Sequence, residues 1–264
     1  FRSLADGCGS VLKRHMPTVN RDNRLISRRW TWFAAILTVL TAQVGVLRLE
    51  GRDWWCECGR WFLWTSDAWG SHTSQHFADP YSLTHALHGF IFCWVLAWLW
   101  PRLSLWRMTF YAMAIEAVWE VIENSQFVID RYRDATAALG YVGDTIGNSL
   151  GDSLFCLAGF LLAYRIGWRW SAAIFVAVEA ILLVTIRDSL LLNVVMLLAP
   201  LDVIRDWQMG HGSGRKLVSI WEDFCCKRFR RNSLATNKTR GSQFPSKSAY
   251  LETLDSPGAR VTAP

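Results

Sequence analysis

An all-α, polytopic transmembrane helix bundle of about six helices is the fold class this sequence predicts, on three observations. Hydrophobic residues make up 52% of the 264-residue chain. They gather in runs near the ~20 residues a helix needs to cross a hydrocarbon core. Tryptophans collect at the ends of those runs (Trp30 and Trp32, Trp98 and Trp100, Trp106, Trp168 and Trp170, Trp207), as interfacial aromatic side chains do. Charge is segregated as well. Residues 1–29 hold seven Lys/Arg and two acids, residues 209–264 ten and four, and residues 30–208 eleven and sixteen. The formal charge of +6 thus belongs to two basic tails, and nucleic acid is not an expected partner.

The elements follow in order. Residues 1–29 form a basic arm, cytoplasmic by its charge; Met16 precedes "PTVNRDNRLISRRW", so residues 1–15 read as an extension upstream of the natural start. The transmembrane domain spans 30–208, with apolar segments near 30–48, 82–100, 105–128, 145–165, 169–186 and 189–203. The last is short, and a short apolar segment can re-enter rather than cross. The turns bearing Arg102/Arg107 and Arg165/Arg169 face the cytoplasm, while loops 49–81 and 130–144, richer in acids than bases, face outward. Six crossings satisfy this pattern with both termini cytoplasmic. Residues 209–264 are polar, Ser/Arg-rich and without sustained periodicity, which predicts a disordered basic cytoplasmic tail.

The apolar segments carry polar stripes. Helical positions i, i+4 and i+7 share a face, and Glu116, Glu120 and Glu123 have this spacing. So do Asp144, Asn148 and Gly151, with Asp152 one step round; His85 and His88 are i, i+3. A carboxylate facing lipid at the bilayer centre costs roughly 2.5–3.5 kcal/mol, so the stripes are expected to face one another. With alternating crossings they all fall in the outer leaflet, where Asn124, Arg131, Arg133, Arg187 and Asp188 join them. Apart from Gly151, these thirteen residues are the candidate ligand-binding set.

Competing readings remain open. Arg131, Arg133 and Arg187 could pair with the glutamates and simply lock helices together. The cavity could hold a polar or lipid-linked ligand, such as an envelope-lipid headgroup. His85, His88, Glu120, Glu123 and Asp144 could hold a divalent metal, a mixture that suits Zn or Fe, in an enzyme acting on an envelope lipid. A scaffold in an envelope complex is a further reading. No nucleophile elbow, phosphate loop or dinucleotide fingerprint is present. Seven cysteines include Cys56 and Cys58, whose spacing matches neither a zinc finger nor a thioredoxin-type site. On an oxidising face they are open to a local disulfide, an intermolecular one or a metal. His72 and His76 read as surface-loop histidines that could extend the cluster.

The segments "GRDWWCECG", "TSQHFADPYSLTHALHGFIF", "EAVWEVIENSQFVIDRYRDAT", "GDTIGNSLGD" and "IRDSLLLNVVMLLAPLDVIRDWQ" together resemble a bacterial multi-pass membrane family of unknown function, domain of unknown function 2585. The resemblance runs from about Gly51 to Gln208 and implies a multi-pass architecture in a bacterial inner membrane but no activity. The chain departs from that family's pattern at Pro80, Gln126 and Ser189, positions outside the acidic and histidine set. A looser pattern of His85, an acidic helix, an Arg, then Asp144, Asn148 and Gly151 is similar to VanZ-like membrane proteins. That similarity implies a link to the cell envelope and to glycopeptide-antibiotic resistance.

Overall fold

Runs of apolar side chains leave the backbone one economical way to satisfy its amides away from water, and helices follow. The computed structural model describes residues 19–136, 138 and 140–210, with side chains from Arg29 onward. The expected upstream extension and the expected disordered tail lie outside these residues, except for the tail's first two. Among the described residues the elements are seven helices and no strand: α1 (Val19–Leu49), α2 (Ser82–Leu99), α3 (Leu105–Glu123), α4 (Gln126–Ala135), α5 (Ile146–Ile186), α6 (Leu190–Leu198) and α7 (Asp202–Met209). Three stretches, Arg29–Leu49, Ser82–Leu99 and Ile146–Ile186, are long and apolar enough to cross a membrane.

Helix α5 is two rods rather than one. At Gly167 the backbone takes φ 79° and ψ 170°, a conformation open to glycine at no steric cost, and the chain turns back. The first rod runs parallel to α2 at backbone contact: a Cβ on Gly151 would strike the Phe77 carbonyl, one on Gly159 the Ala86 carbonyl, and one on Gly89 the Cys156 carbonyl. Small residues permit that approach. The second rod runs antiparallel to α2. The Trp94 indole donates to Ser171 Oγ (2.8 Å) near its start, and the Trp69 indole donates to the Ile186 carbonyl (3.0 Å) at its end. The expected segments 145–165 and 169–186 are thus both present, joined across one glycine.

The remaining contacts set alternating directions. Trp32 of α1 meets Phe110 of α3 at 5.5 Å between ring centroids, and the Gln43 side chain bonds Ser149 and Ser153 of α5. One end of the bundle therefore gathers the last turn of α1, the first turn of α2, the last turn of α3 and both free ends of α5.

Two expectations need correction. The segment 105–128 does not run through: α3 stops at Glu123, where Asn124 turns its amide back to the Glu120 carbonyl (3.0 Å), and Ser125 begins α4 in extended conformation. The sixth crossing, 189–203, is not formed. Helix α6 has nine residues, about 13 Å, less than half of a ~30 Å hydrocarbon core. Its start is pinned by Glu179, whose carboxylate accepts the Leu190 and Leu191 amides (3.0 and 3.2 Å), and its end precedes Pro200, which cannot continue a helix. Helix α7 brings the chain back, so that Arg187 donates to the Trp207 carbonyl (2.8 Å). Gly210 consequently lies at the same end as Ile186.

Candidate functional site

At that end, α2, α3 and the first rod of α5 enclose a buried group of imidazoles and carboxylates. His85 is its hub. Its Nδ1 lies 2.6 Å from Glu116 Oε1 and 3.1 Å from Glu120 Oε1; its Nε2 lies 3.9 Å from Asp152 Oδ2 and 4.0 Å from Glu123 Oε2. His88, one turn on, reaches Glu116 Oε2 at 3.2 Å. Helical periodicity of the stripes produces this convergence, with the i, i+4, i+7 glutamates on α3 facing the i, i+3 histidines on α2.

The carboxylates are not equally served. Glu116 takes hydrogen bonds from His85 and His88, and Cys156 bonds it too. Glu120 is fully buried, yet neither of its oxygens has a hydrogen-bond partner. A single Nδ1 proton cannot point at two carboxylates, and Glu116, 2.6 Å away, takes it. Glu123 Oε2, Asp152 Oδ1 and both polar atoms of the Asn148 amide are likewise buried without a partner. Four carboxyl groups thus surround two imidazoles, and unpaired buried charge of this kind requires further positive charge, as protons or as a bound cation.

The rim of the group is satisfied by tyrosines and an asparagine. The Tyr141 hydroxyl donates to Asp144 Oδ1 (3.0 Å), Tyr132 bonds Glu123, and the Tyr81 hydroxyl donates to Asp188 Oδ2 (3.1 Å). Asn124 and Asp144 bond reciprocally: the Asn124 amide donates to Asp144 Oδ2 (3.0 Å) and its carbonyl accepts the Asp144 N–H (2.6 Å). Burial pushes both Tyr132 and Tyr141 hydroxyls well above the ordinary phenol value, and neighbouring carboxylates add to it. Burial also raises Asp188 to about 7, against the Ser189 and Tyr81 hydrogen bonds that lower it.

Of the candidate residues, His85, His88, Glu116, Glu120, Glu123 and Asp152 are thus brought together, and Asn148 lies one turn before Asp152 on α5. Asp144 and Asn124 bind each other at the edge, so Asp144 stands apart from the metal-ligand candidates. Asp188 belongs to the α5–α6 turn. The arginines go elsewhere. Arg131 donates to the Leu197 carbonyl (2.9 Å), Arg187 to the Trp207 carbonyl, and Arg133 to the Tyr141 carbonyl (2.6 Å) and Asp130 (3.2 Å). Helix locking by Arg131 and Arg187 on the glutamates is replaced by their hold on the α6–α7 hairpin.

A second group joins residues that the sequence reading kept apart, Cys56 and Cys58 as open to a metal and His72 and His76 as an extension of the other cluster. Cys56, Cys58, His72 and His76, all buried, come together in the loop 50–81. The signal available was His72-x-x-x-His76, a zinc-finger spacing, separated by thirteen residues from a cysteine pair; the single residue between Cys56 and Cys58 hid it, because two to four are usual. Tyr81, Tyr132 and Tyr141 left no signal, since a lone tyrosine near an interface reads as an anchor. Three sets lie close enough for their ligand atoms to hold a metal ion: the Cys/His tetrad, His85 with His88 and Glu116, and His85 with Glu120 and Asp152.

Comparison with known proteins adds ancestry. Among curated relatives, a UPF0314 protein of Sphingopyxis alaskensis is 45% identical over 181 residues, covering 69% of this chain and 95% of its own. One from Brucella anthropi is 40% identical over 196 residues, covering 74% and 100%, and one from Agrobacterium fabrum is 44% identical over 183 residues, covering 69% and 92%. No solved structure matches. Residues 47–210, which hold both polar groups, match the family described as "Protein of unknown function (DUF2585)", and the chain belongs to that family.

Proposed function

We propose that this protein is a multi-pass bacterial inner-membrane protein that binds a cationic group in the His85/Glu116/Glu120/Glu123/Asp152 cluster, with the cluster end of the bundle facing outward. The observation that carries the reading is the set of buried oxygens without partners: both of Glu120, one of Glu123 and one of Asp152, beside an unpartnered Asn148 amide. In a low-dielectric interior such a set costs free energy until protons neutralise it or a cation fills it, and a bound cation also supplies partners for the oxygens. The chemistry fits the ammonium of a lipid or envelope-precursor headgroup, approaching past His88 and Glu123, the more exposed members at 14% each. Orientation rests on Arg102, Arg107, Arg165 and Arg169 at the opposite end. In this orientation the five rods put Gly210, which lies at the same end as Ile186, at the outward end.

A second reading, a metal-dependent enzyme on a lipid substrate, is favoured by the His85/Glu120/Asp152 set, whose ligand atoms lie within 4.8 Å of one another. It would leave coordination positions open for substrate. One experiment separates the two: native mass spectrometry and elemental analysis of the full chain in nanodiscs containing phosphatidylethanolamine. Headgroup adducts lost in Glu120→Gln/Glu123→Gln, with no metal lost alongside, support headgroup binding. A divalent metal lost in His85→Ala and in Glu120→Gln supports the enzyme. A double variant that retains the wild-type adducts overturns the assignment to this cluster.

A further inference from the structure

We propose that Cys56, Cys58, His72 and His76 form a tetrahedral structural zinc site that fastens the loop 50–81 over the N-terminus of α5. The inference is independent of what the His85 cluster binds.

The separations are those of ligands around one ion. Cys56 Sγ lies 3.4 Å from His72 Nδ1, Cys58 Sγ 3.9 Å from His76 Nε2, and the two imidazole nitrogens are 3.1 Å apart. Zinc held at ~2.3 Å from sulfur and ~2.0–2.1 Å from nitrogen sets tetrahedral edges of about 3.5 Å between sulfur and nitrogen and about 3.3 Å between nitrogens. A hydrogen-bonded chain would join neighbours in pairs without closing on a point. Here all four ligand atoms lie within 4.8 Å of one another, and all four residues are buried. Two soft thiolates with two imidazoles select zinc among the common divalent ions. Four protein ligands leave no position for substrate, so the ion is structural. Neither cysteine is in a disulfide, and binding would release the two thiol protons.

The local backbone is shaped to present these atoms. A turn from Cys56 to Gly59 is closed by the Gly59 amide on the Cys56 carbonyl (3.1 Å), with Gly59 at φ +70°. The two histidines flank Ser74, itself at φ 60°, and stack with ring centroids 5.2 Å apart, while Phe62 packs edge-on against His76 at 4.8 Å. Residues 50–81 contain neither helix nor strand, and Trp61 and Leu63 are 65% and 75% exposed. A loop of that length without a core of its own needs another fastening.

The two ligand pairs sit on the two strands of loop that grip α5. On the cysteine side, the Ile146 amide donates to the Asp53 carbonyl (2.8 Å) and the Gly147 amide to the Trp54 carbonyl (3.2 Å). Next to the histidines, the Thr145 backbone amide donates to the Ser74 carbonyl (3.0 Å) and the Gln75 side-chain amide to the Gly143 carbonyl (2.9 Å). An ion joining the pairs holds both grips closed above Asn148 and Asp152.

The test uses the full chain in nanodiscs, with Cys8→Ser, Cys225→Ser and Cys226→Ser removing the thiols outside the described residues, produced in cobalt-supplemented, zinc-depleted medium. The expected result is one cobalt per chain with a thiolate-to-cobalt charge-transfer band and tetrahedral ligand-field bands, displaced mole for mole by zinc. The band should vanish in Cys56→Ser/Cys58→Ser, grow in His76→Cys and persist in Glu120→Gln. Should the serine double variant fail to fold, the spectrum of the parent chain decides. A folded parent that takes up no cobalt, or takes it up without the thiolate band, overturns the site, and so does a band that survives loss of both cysteines.

Discussion

The loop tetrad and the bundle cluster are both buried sets of ligand-type side chains at the same end of the molecule, and they differ in how far their own members satisfy one another. In the tetrad, two thiolates and two imidazoles match one divalent ion in charge and number. In the cluster, Glu116 takes the hydrogen bonds of His85 and His88, while Glu120 and Asp152 keep buried oxygens with no partner. A closed set of ligands stabilises structure. An open set is a place where something arrives and leaves.

The largest expected effect breaks the tetrad. Zinc binding by small finger peptides amounts to roughly 10–16 kcal/mol. Even a fraction of that confined to one loop makes Cys56→Ser/Cys58→Ser, or a strong chelator, destabilising by about 5 kcal/mol or more. Hydrogen exchange should accelerate across residues 53–79 and 143–152 while α1 stays protected. Uniform exchange across the chain would mean that the loop is held some other way.

Within the cluster, sign matters more than size. His85→Ala removes the imidazole from a group of four carboxyls and is expected to cost about 3–5 kcal/mol, the range for breaking a buried ion pair from one side. Glu120→Gln removes a buried acid with no hydrogen-bond partner and should leave the ligand-free protein as stable as before or stabilise it, while ligand protection is lost. Thermal unfolding in nanodiscs reads both. A strongly destabilised Glu120→Gln would return the cluster to a purely structural role.

Asp79 couples the two regions and gives a pH dependence. Burial raises its carboxyl to about 6 from 3.8, helped by the Asp144 charge and opposed by the Ser74 and Tyr81 amides and by His85. Between these values the folded protein keeps a proton that the unfolded chain has released, so stability falls as pH rises. The contribution is complete below about pH 4 and gone above about pH 6, at most ~3 kcal/mol. Asp79 accepts the Ser74 and Tyr81 amides (2.6 and 2.7 Å), so the change falls on the loop that carries the histidines. Comparing melting at pH 5 and pH 7.5 in the parent and in Asp79→Asn isolates it; equal slopes in the two would remove Asp79 as the cause.

How much of this was legible follows from the chemistry of each region. Glu116, Glu120, Asp144 and Asp152 stand out in the sequence because acids are expensive in apolar runs, and period 3.6 says which of them share a face. The tetrad was hidden because its four ligands lie in an irregular loop, where no period links Cys58 to His72. The segment 189–203, open in the sequence to crossing or re-entering, is ambiguous for a related reason. Hydropathy sees Leu190 to Leu198 as apolar but does not see that Glu179, eleven residues earlier, would cap that helix's N-terminus. Pairing of the arginines with the glutamates, one of the readings the sequence leaves open, gives way to backbone carbonyls as acceptors for Arg131, Arg133 and Arg187.

The smallest effect expected tests the line between rim and centre. Tyr141→Phe removes the hydroxyl that donates to Asp144 Oδ1 at 3.0 Å, and one such bond contributes about 1 kcal/mol. Asp144 keeps the Asn124 amide on its other oxygen, so the carboxylate is weakened in place rather than stranded. Ligand affinity at Glu120 and Asp152 should then change by less than about threefold, while melting drops by the equivalent of that one bond. An affinity loss of tenfold or more would place Asp144 inside the binding group, and the division between a satisfied rim and an unsatisfied centre would have to be redrawn around it.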